Sequence, residues 1–508
     1  MLFPRLFKQS VARTPDRTAV VNLAADVSYT YEELADEVYG VTDSLRDLGV
    51  GEGDRVAICM GNRPENVVTY LATQFLGAVA VPFNFRVPAG GVRYHVQDSE
   101  PVLFVFDDLS RAAVEKAESD IDVPMVHVGD DTPAFAESFD TLRGTGAPEP
   151  EIVVGPDDRS VILYSSGTTG DPKGIPLTQG NSAARVVINS LGQGYYLGEV
   201  IPGVMPLYHT VGLHGVLGCV LGMSGTYLTM PEFDPETYAR AIPEYGVTAM
   251  HEAPTIFQNI LDTDAIDDVS VDSVTTLGFS GAPMSTKTFE RLLDRFEPDH
   301  FANLYGTTEV YGTLAYVDLR EIGDPAVVGP ANVFIETRVV EIGSNDPTAT
   351  VDPGEEGELI VDTDSPVSFT GYLNKPRETE RAIHDGWFFT GDAVRQREDG
   401  TLALTGRADD MIISGGENVH PAEVEDVLAS HPRVRDVGVI GVPDDDWGEI
   451  VCAFVAADDS LTAEDLDEWC LEDDDFADFK RPRAYEFVDE ILRNPSGKVM
   501  RYKLRDRA

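Results

Sequence analysis

The chain has 508 residues, enough for two or more domains, and its 42% hydrophobic content supplies large cores and speaks against a disordered chain. Acidic residues number 88 against 38 basic ones, which divide into 8 lysines and 30 arginines and leave a net charge of −50. That balance excludes a nucleic-acid partner, because binding a phosphate backbone requires clustered lysine and arginine.

In chain order, the first third alternates helix and strand signals. Thr30-x-x-Glu33 is a capping box, and Leu34, Val38, Val41, Leu45 and Leu48 then recur at helical spacing. Gly49 and Gly51 end that helix, and Val56 to Cys59 follows as a strand. Further apolar runs at 102–106 and 161–164 alternate with helices, which predicts a parallel α/β sheet. Residues 144–158, rich in Gly, Pro and Glu, read as a connection between two such layers. The most apolar stretch, 211–230, contains His214 and five glycines and is predicted as a buried helix rather than a membrane span. From about residue 330 to 404, short strands separated by Gly, Pro and Asp turns predict a β-rich subdomain. Residues 406–410 are a short polar link. The remainder reads as a compact α+β unit, with strands at 437–442 and 451–455 and a helix opening near Thr462. The expected fold class is therefore α/β: a large N-terminal domain (1–405) of two α/β layered subdomains plus the β-rich one, a hinge at 406–410, and a small mobile α+β C-terminal domain (411–508).

Arg5, Lys8 and Arg13 interrupt the apolar residues of the N-terminus, and no signal-peptide core is present. The four cysteines (Cys59, Cys219, Cys452, Cys470) are scattered without metal-type spacing and fit a reducing compartment, so a cytoplasmic protein is expected. The acidic excess with scarce lysine predicts a halophilic protein, kept soluble in concentrated salt by hydrated carboxylates.

Ser165-Ser166-Gly167-Thr168-Thr169-Gly170-Asp171-Pro172-Lys173-Gly174 follows the strand ending at Tyr164. Glycines let backbone N–H groups approach an anion, and hydroxyls add donors, so the loop suits phosphate. It lacks the four-residue gap and the Gly-Lys-Ser/Thr ending of a Walker A loop. Tyr305-Gly306-Thr307-Thr308-Glu309, Thr390-Gly391-Asp392, Gly406-Arg407-Ala408-Asp409-Asp410 and Asn494-Pro495-Ser496-Gly497-Lys498 follow in order. Over essentially the whole chain this set resembles the adenylate-forming superfamily of acyl-CoA synthetases, peptide-synthetase adenylation domains and firefly luciferases. Met205 to His209, Met411 to Asn418 and Asp478 to Pro482 resemble most the 4-chlorobenzoate:CoA ligases within it.

The resemblance implies an ATP-dependent, AMP-forming carboxylic acid:CoA ligase that uses ATP, Mg2+ and coenzyme A and works through an acyl-adenylate. A carboxylate must attack an α-phosphorus ringed by negative oxygens, so charge neutralisation and positioning dominate. By resemblance, Ser165, Ser166, Gly167, Thr168, Thr169, Gly170 and Lys173 hold phosphates. Gly281, Ala282 and Pro283, with Tyr305, Gly306 and Thr307, line the nucleotide site, and adenine stacks on Tyr305. Thr308 lies near the α-phosphate, and Glu309 is the Mg2+ ligand, since a hard cation takes carboxylate oxygen. Asp392 accepts from the ribose hydroxyls, Arg407 partners ribose and phosphate, and Lys498 bridges the incoming carboxylate and the α-phosphate. Gly415 and Gly416 resemble the strand lining a pantetheine tunnel. Trp447 and Phe479 match positions that hold the CoA adenine; Arg86, Arg481 and Arg483 match basic residues near its phosphates. Asp409 matches the hinge residue.

For the acyl pocket, His209 resembles the family's movable ring, and Thr210, Val211, His251, Ser280, Leu304 and Tyr311 fall where pocket residues belong. His251 and Tyr311 depart from the chlorobenzoate pattern, and the wall suits an aromatic or a short to medium-chain acid. The partners expected are a small carboxylic acid, ATP and CoA, with no membrane span; the oligomeric state, homodimer or otherwise, stays open. Loading of a carrier-protein phosphopantetheine, luciferase-like oxygenation and a non-catalytic nucleotide-binding regulator remain alternatives. The Trp447, Arg481 and Arg483 set favours free CoA, because a carrier arm has no adenine to stack.

Overall fold

The computed structural model describes residues 2–508 except 26, 145, 166–171, 312–313, 415–416, 445–446, 459, 473–475 and 494–498; the side chains of 409, 418 and 472 are likewise outside the description. Thr30 caps the helix Tyr31–Asp47 as its sequence predicts: its hydroxyl accepts from Glu33 N, and its own N–H donates to the Glu33 carboxylate at 2.8 Å. The buried face of that helix packs near the helix Pro64–Leu76, which is buried along nearly its whole length. Its buried polar residues are satisfied within the fold: Asn66 Nδ2 donates to Gly61 O and Gln74 Nε2 to Ser160 O, each at 3.0 Å. Phe3 and Phe7 of the first helix pack their rings on its Tyr70 and Phe75.

Among the described residues the strands form five sheets. The first runs Glu137–Ser138, Met125–Val128, Leu103–Asp107, Arg55–Cys59, Val79–Pro82, Arg159–Ser165, Lys173–Thr178, parallel until the last pair. A second runs Val200–Gly203, Thr226–Thr229, Thr18–Asn22, Val27–Thr30. Thr248 N donates to Val200 O at 3.0 Å and ties it to a third, Ala249–Glu252, Thr276–Phe279, His300–Tyr305, Ala315–Asp318. The first three strands of that third sheet are parallel, so their carboxyl ends open at one edge, where ligands bind in such sheets.

The β-rich region is an antiparallel sheet of Val327–Gly329, Leu402–Arg407, Trp387–Gln396, Glu356–Asp362 and Thr337–Val340, with Ile383–His384 beside Trp387. The polar link read at 406–410 overlaps this sheet: Gly406 and Arg407 pair with Ala393 and Asp392, and a 3-10 turn, Ala408–Asp410, follows. Asp410 ties that turn to the helix Arg501–Arg505 through ion pairs with Arg505 at 3.0 Å and Arg501 at 3.6 Å, and Arg501 Nε donates to Val439 O of the small C-terminal sheet at 3.1 Å. In that sheet Val434–Asp444 and Gly448–Ala457 pair over their full length.

The apolar stretch 211–230 is not one helix. It forms a π-helix, Val211–Leu217, a short α-helix, Gly218–Gly222, and the buried strand Thr226–Thr229. A short apolar run looks alike in a helix and in a buried strand, and pairing with Thr18–Asn22 decided the second half. Among the described residues no helix is long and apolar enough to cross a membrane. All four cysteines are buried and free.

Candidate active site

Tyr305 ends its strand at the open edge of the third sheet, and its phenol donates to the Asp392 carboxylate. Register delivers the other half: Asp392 faces Arg407 across the antiparallel pair, and Arg407 Nη1 donates to Asp392 Oδ1 at 2.6 Å and to Thr390 O at 2.9 Å. Gly391 between them has φ of 70°, and a Cβ there would stand 2.6 Å from an Arg407 nitrogen. Thr390-Gly391-Asp392 therefore requires its glycine both for backbone angle and for the approach of Arg407. Burial, then the Asp392 charge, raises the Tyr305 phenol above its ordinary range, so it stays a donor. The result is a flat ring, a carboxylate and a guanidinium on two different sheets, joined in one cluster.

The second cluster lies beside the end of the first sheet. Ser165 faces Lys173 across the strand pair that brackets residues 166–171, which lie outside the described residues. Lys173 Nζ sits 4.7 Å from the centre of the Tyr372 ring, and the Tyr372 hydroxyl donates to Glu309 Oε1 at 3.0 Å. The segment that carries Tyr372 is clamped in place: Leu373 N donates to Gly174 O at 2.8 Å, and a Cβ on Gly174 would stand 3.0 Å from Leu373. Tyr94 holds the exit of the loop, its hydroxyl donating to Pro172 O at 2.5 Å. Tyr372 and Tyr94 were not found in the sequence; nothing local marks a tyrosine whose partner is 63 positions away. Among the described residues no group of three His, Cys, Asp or Glu could hold a metal by itself. A lone carboxylate such as Glu309 suits Mg2+, which is bound by one or two carboxylates together with substrate phosphates. Thr307 receives Val310 N at 3.2 Å and Thr308 occupies the turn beside it; Gly306 is exposed. Gly281 (φ 86°), Ala282 and Pro283 form the loop between the strand Thr276–Phe279 and the helix Thr286–Phe296.

The acyl-pocket candidates meet at the carboxyl ends of the strands. His251 bonds Ser280 through Nε2 at 2.8 Å and Gln193 through Nδ1. A Cβ on Gly278 would touch Leu304, Gln193 and His251 together, so Leu304 belongs to the same wall. Tyr311 bonds His214, which bonds Tyr70 at 2.6 Å. Val211 opens the π-helix, and its N–H donates to Nδ1 of half-buried His209 at 3.2 Å; Thr210 is buried between them. π-Helical turns recur at functional sites, because the extra residue redirects side chains. Gln193, His214 and Arg185 adjoin this candidate wall and were not singled out from the sequence. Arg185 had a signal: it is the sole charge between Lys173 and Glu199.

The CoA candidates are only partly gathered. Arg483 stacks on Trp447 with Cζ 3.8 Å from the ring centre, and Trp447 is 42% exposed. Phe479 lies 5.9 Å from Lys480 Nζ, Arg481 is paired with Asp467, and exposed Arg86 covers Phe85 at 4.6 Å. Among the described residues no hydrogen bond, ion pair or ring contact joins Arg86, Phe479 or Arg481 to the Trp447–Arg483 pair. Gly415, Gly416 and Lys498 lie outside the described residues, as does the side chain of Asp409.

Comparison with known proteins agrees with this geometry. The AMP-binding enzyme model matches residues 7–373, and the model of the AMP-binding enzyme C-terminal domain matches 423–498. A 4-chlorobenzoate–CoA ligase of an Arthrobacter species is 33% identical over 503 residues, covering 98% of this chain and 93% of the relative. A 2-succinylbenzoate–CoA ligase of Bacillus anthracis is 30% identical, covering 99% and 98%. The o-succinylbenzoate CoA synthetase of Bacillus subtilis, solved with its acyl-adenylate intermediate, superposes with a TM-score of 0.86 at 26% identity, covering 99% of this chain and 98% of that one. The chain belongs to the AMP-binding enzyme family, within its ATP-dependent, AMP-forming acid:CoA ligases.

Proposed function

We propose that this enzyme converts an aromatic carboxylic acid to its CoA thioester, with free CoA as the acceptor, in the cytoplasm. The Tyr305–Asp392–Arg407 cluster carries the reading. It supplies a ring for a purine, a carboxylate for two ribose hydroxyls and a cation beside them, the three features a nucleoside requires of a site. Lys173 and Glu309, joined through Tyr372, then lie where the phosphates of the same nucleotide extend, and Mg2+ at Glu309 would neutralise charge on those oxygens. Residues 165–174 bind the phosphates, Thr308 contacts the α-phosphate, and Lys498 orients the acid carboxylate for attack on the α-phosphorus, with pyrophosphate leaving.

In the second step the CoA thiol attacks the acyl carbonyl and AMP leaves. The exposed Trp447–Arg483 stack offers an aromatic face and a cation to the CoA adenine and its phosphates, and Phe479, Arg481 and Arg86 are assigned to the same ligand. Gly415 and Gly416, which carry no side chains, are assigned to the pantetheine arm. The part beyond the Ala408–Asp410 turn swings between the two steps, with residues up to 405 as the stationary body and Asp409 as the pivot. An aromatic acid is supported by the relatives, named for 4-chlorobenzoate and 2-succinylbenzoate, and by the Tyr311, His209 and His251 rings. ATP–pyrophosphate exchange with a panel of aromatic and aliphatic acids, followed by thioester formation with CoA and with a phosphopantetheinyl carrier protein, tests each element. Absence of exchange with every acid, from folded protein that binds ATP, would leave a nucleotide-binding regulator as the better description.

A further inference from the structure

The helix Gln179–Gln193 turns Arg185, Asn189 and Gln193 to one face, four residues apart. That face meets the π-helix Val211–Leu217: Gln193 Nε2 and Asn189 Nδ2 donate to Gly215 O at 3.1 and 3.4 Å. A Cβ on Gly215 would stand 3.1 Å from a terminal nitrogen of Arg185, and Arg185 Cζ lies 5.7 Å from the centre of the Tyr311 ring. Arg185 thus sits among the same elements that build the acyl wall, 4% exposed.

What surrounds it is unusual for a buried cation. Among the described residues no carboxylate pairs with Arg185, no acceptor takes a hydrogen bond from it, and its Nε is enclosed without a partner. Arg143, by contrast, meets Glu37, Glu65 and Asp140. The neighbours are neutral: burial, and then the Arg185 charge itself, pushes His214 and His251 down to about 3, and burial raises the Tyr311 phenol and lifts the Cys219 thiol to about 11. Burial lowers Arg185 only to about 10, so it remains charged. In a chain with 88 acidic residues, a buried guanidinium lacking a carboxylate points to an anion supplied from outside.

We propose that Arg185 binds a second carboxylate of the acid substrate, so that the enzyme activates an aromatic acid carrying a further carboxylate away from the one that is adenylated. A planar guanidinium matches a carboxylate with two parallel hydrogen bonds, and desolvated surroundings strengthen that match. The Tyr311 ring, over which the cation now rests, would remain its lateral support. The proposal rests on the acid-activating reading above and deepens it.

The test pairs aromatic dicarboxylates with their monomethyl esters and measures ATP–pyrophosphate exchange for each member, along with calorimetric binding of the acids in the absence of ATP. Wild type should favour the diacid over its ester by at least about 10-fold in kcat/KM. Arg185→Met should lower the diacid on the order of 10²-fold while changing the ester by less than about 3-fold, and should abolish calorimetric diacid binding. Arg185→Lys should fall between the two, and it serves equally should the methionine variant fail to fold. Exchange with the esters and no preference for diacids in wild type would overturn this proposal alone. Equal losses for both members of each pair in the variants would overturn it too, marking Arg185 as structural. No exchange with any acid would overturn the ligase reading and this inference with it.

Discussion

Tyr372 donates its hydroxyl to Glu309 at 3.0 Å, with its ring 4.7 Å from Lys173 Nζ, and so spans the two charges that a nucleotide phosphate and its metal would share. Burial, then the Glu309 charge, raises its phenol above the ordinary range, so it donates rather than ionises. Tyr372→Phe should keep the ring and lose the bond. The Mg2+ concentration for half-maximal exchange should rise, and kcat/KM for ATP should fall roughly 10-fold, the worth of one hydrogen bond to a charged group. An unchanged Mg2+ titration would show that the hydroxyl does not position Glu309.

Lys498 belongs to the adenylation step alone in the proposed scheme. Lys498→Ala should lower acyl-adenylate formation on the order of 10²-fold or more, as removal of one preorganised charge at the reacting centre does. Thioester formation from a supplied acyl-adenylate should stay near wild type. Single-turnover assays of each half-reaction separate the two, and equal losses in both would contradict the assignment.

The Ala408–Asp410 turn links the sheet that carries Arg407 to the C-terminal unit that Asp410 grips through Arg501 and Arg505. Asp409→Pro fixes φ near about −65° and biases Ala408 away from helical angles, locking the link in one state. One half-reaction, adenylation, should survive near its wild-type rate while the other falls by orders of magnitude. Small, equal effects on both steps would leave alternation of the two parts without support.

A net charge of −50 should make the fold depend on salt. At ~1 M KCl the Debye length is about 3 Å and carboxylates hardly sense one another; at 0.01 M it is roughly 30 Å and repulsion spans the molecule. Circular dichroism and activity should both be retained at molar KCl and be lost on dialysis to low salt. Full activity at 0.01 M would remove the halophilic reading.

The sequence by itself determined the local parts. The Thr30 cap, the strand and helix alternation of the first third, and the Thr390-Gly391-Asp392 and Tyr305 to Glu309 motifs were all legible, because each depends on residues a few positions apart. Tertiary structure decided whatever depends on pairing between distant segments. Register across 15 positions put Arg407 against Asp392, and the same register drew Gly406 and Arg407 out of a supposed link into a strand. Parallel pairing with Thr18–Asn22 turned the end of an apolar run from helix to strand. Arg185 shows both sides at once: its isolation from other charges was written in the sequence, but burial without a carboxylate arises only when the helix Gln179–Gln193 packs on the π-helix and Tyr311. Local propensity is read along the chain, whereas desolvation and charge pairing exist only between surfaces that folding brings together.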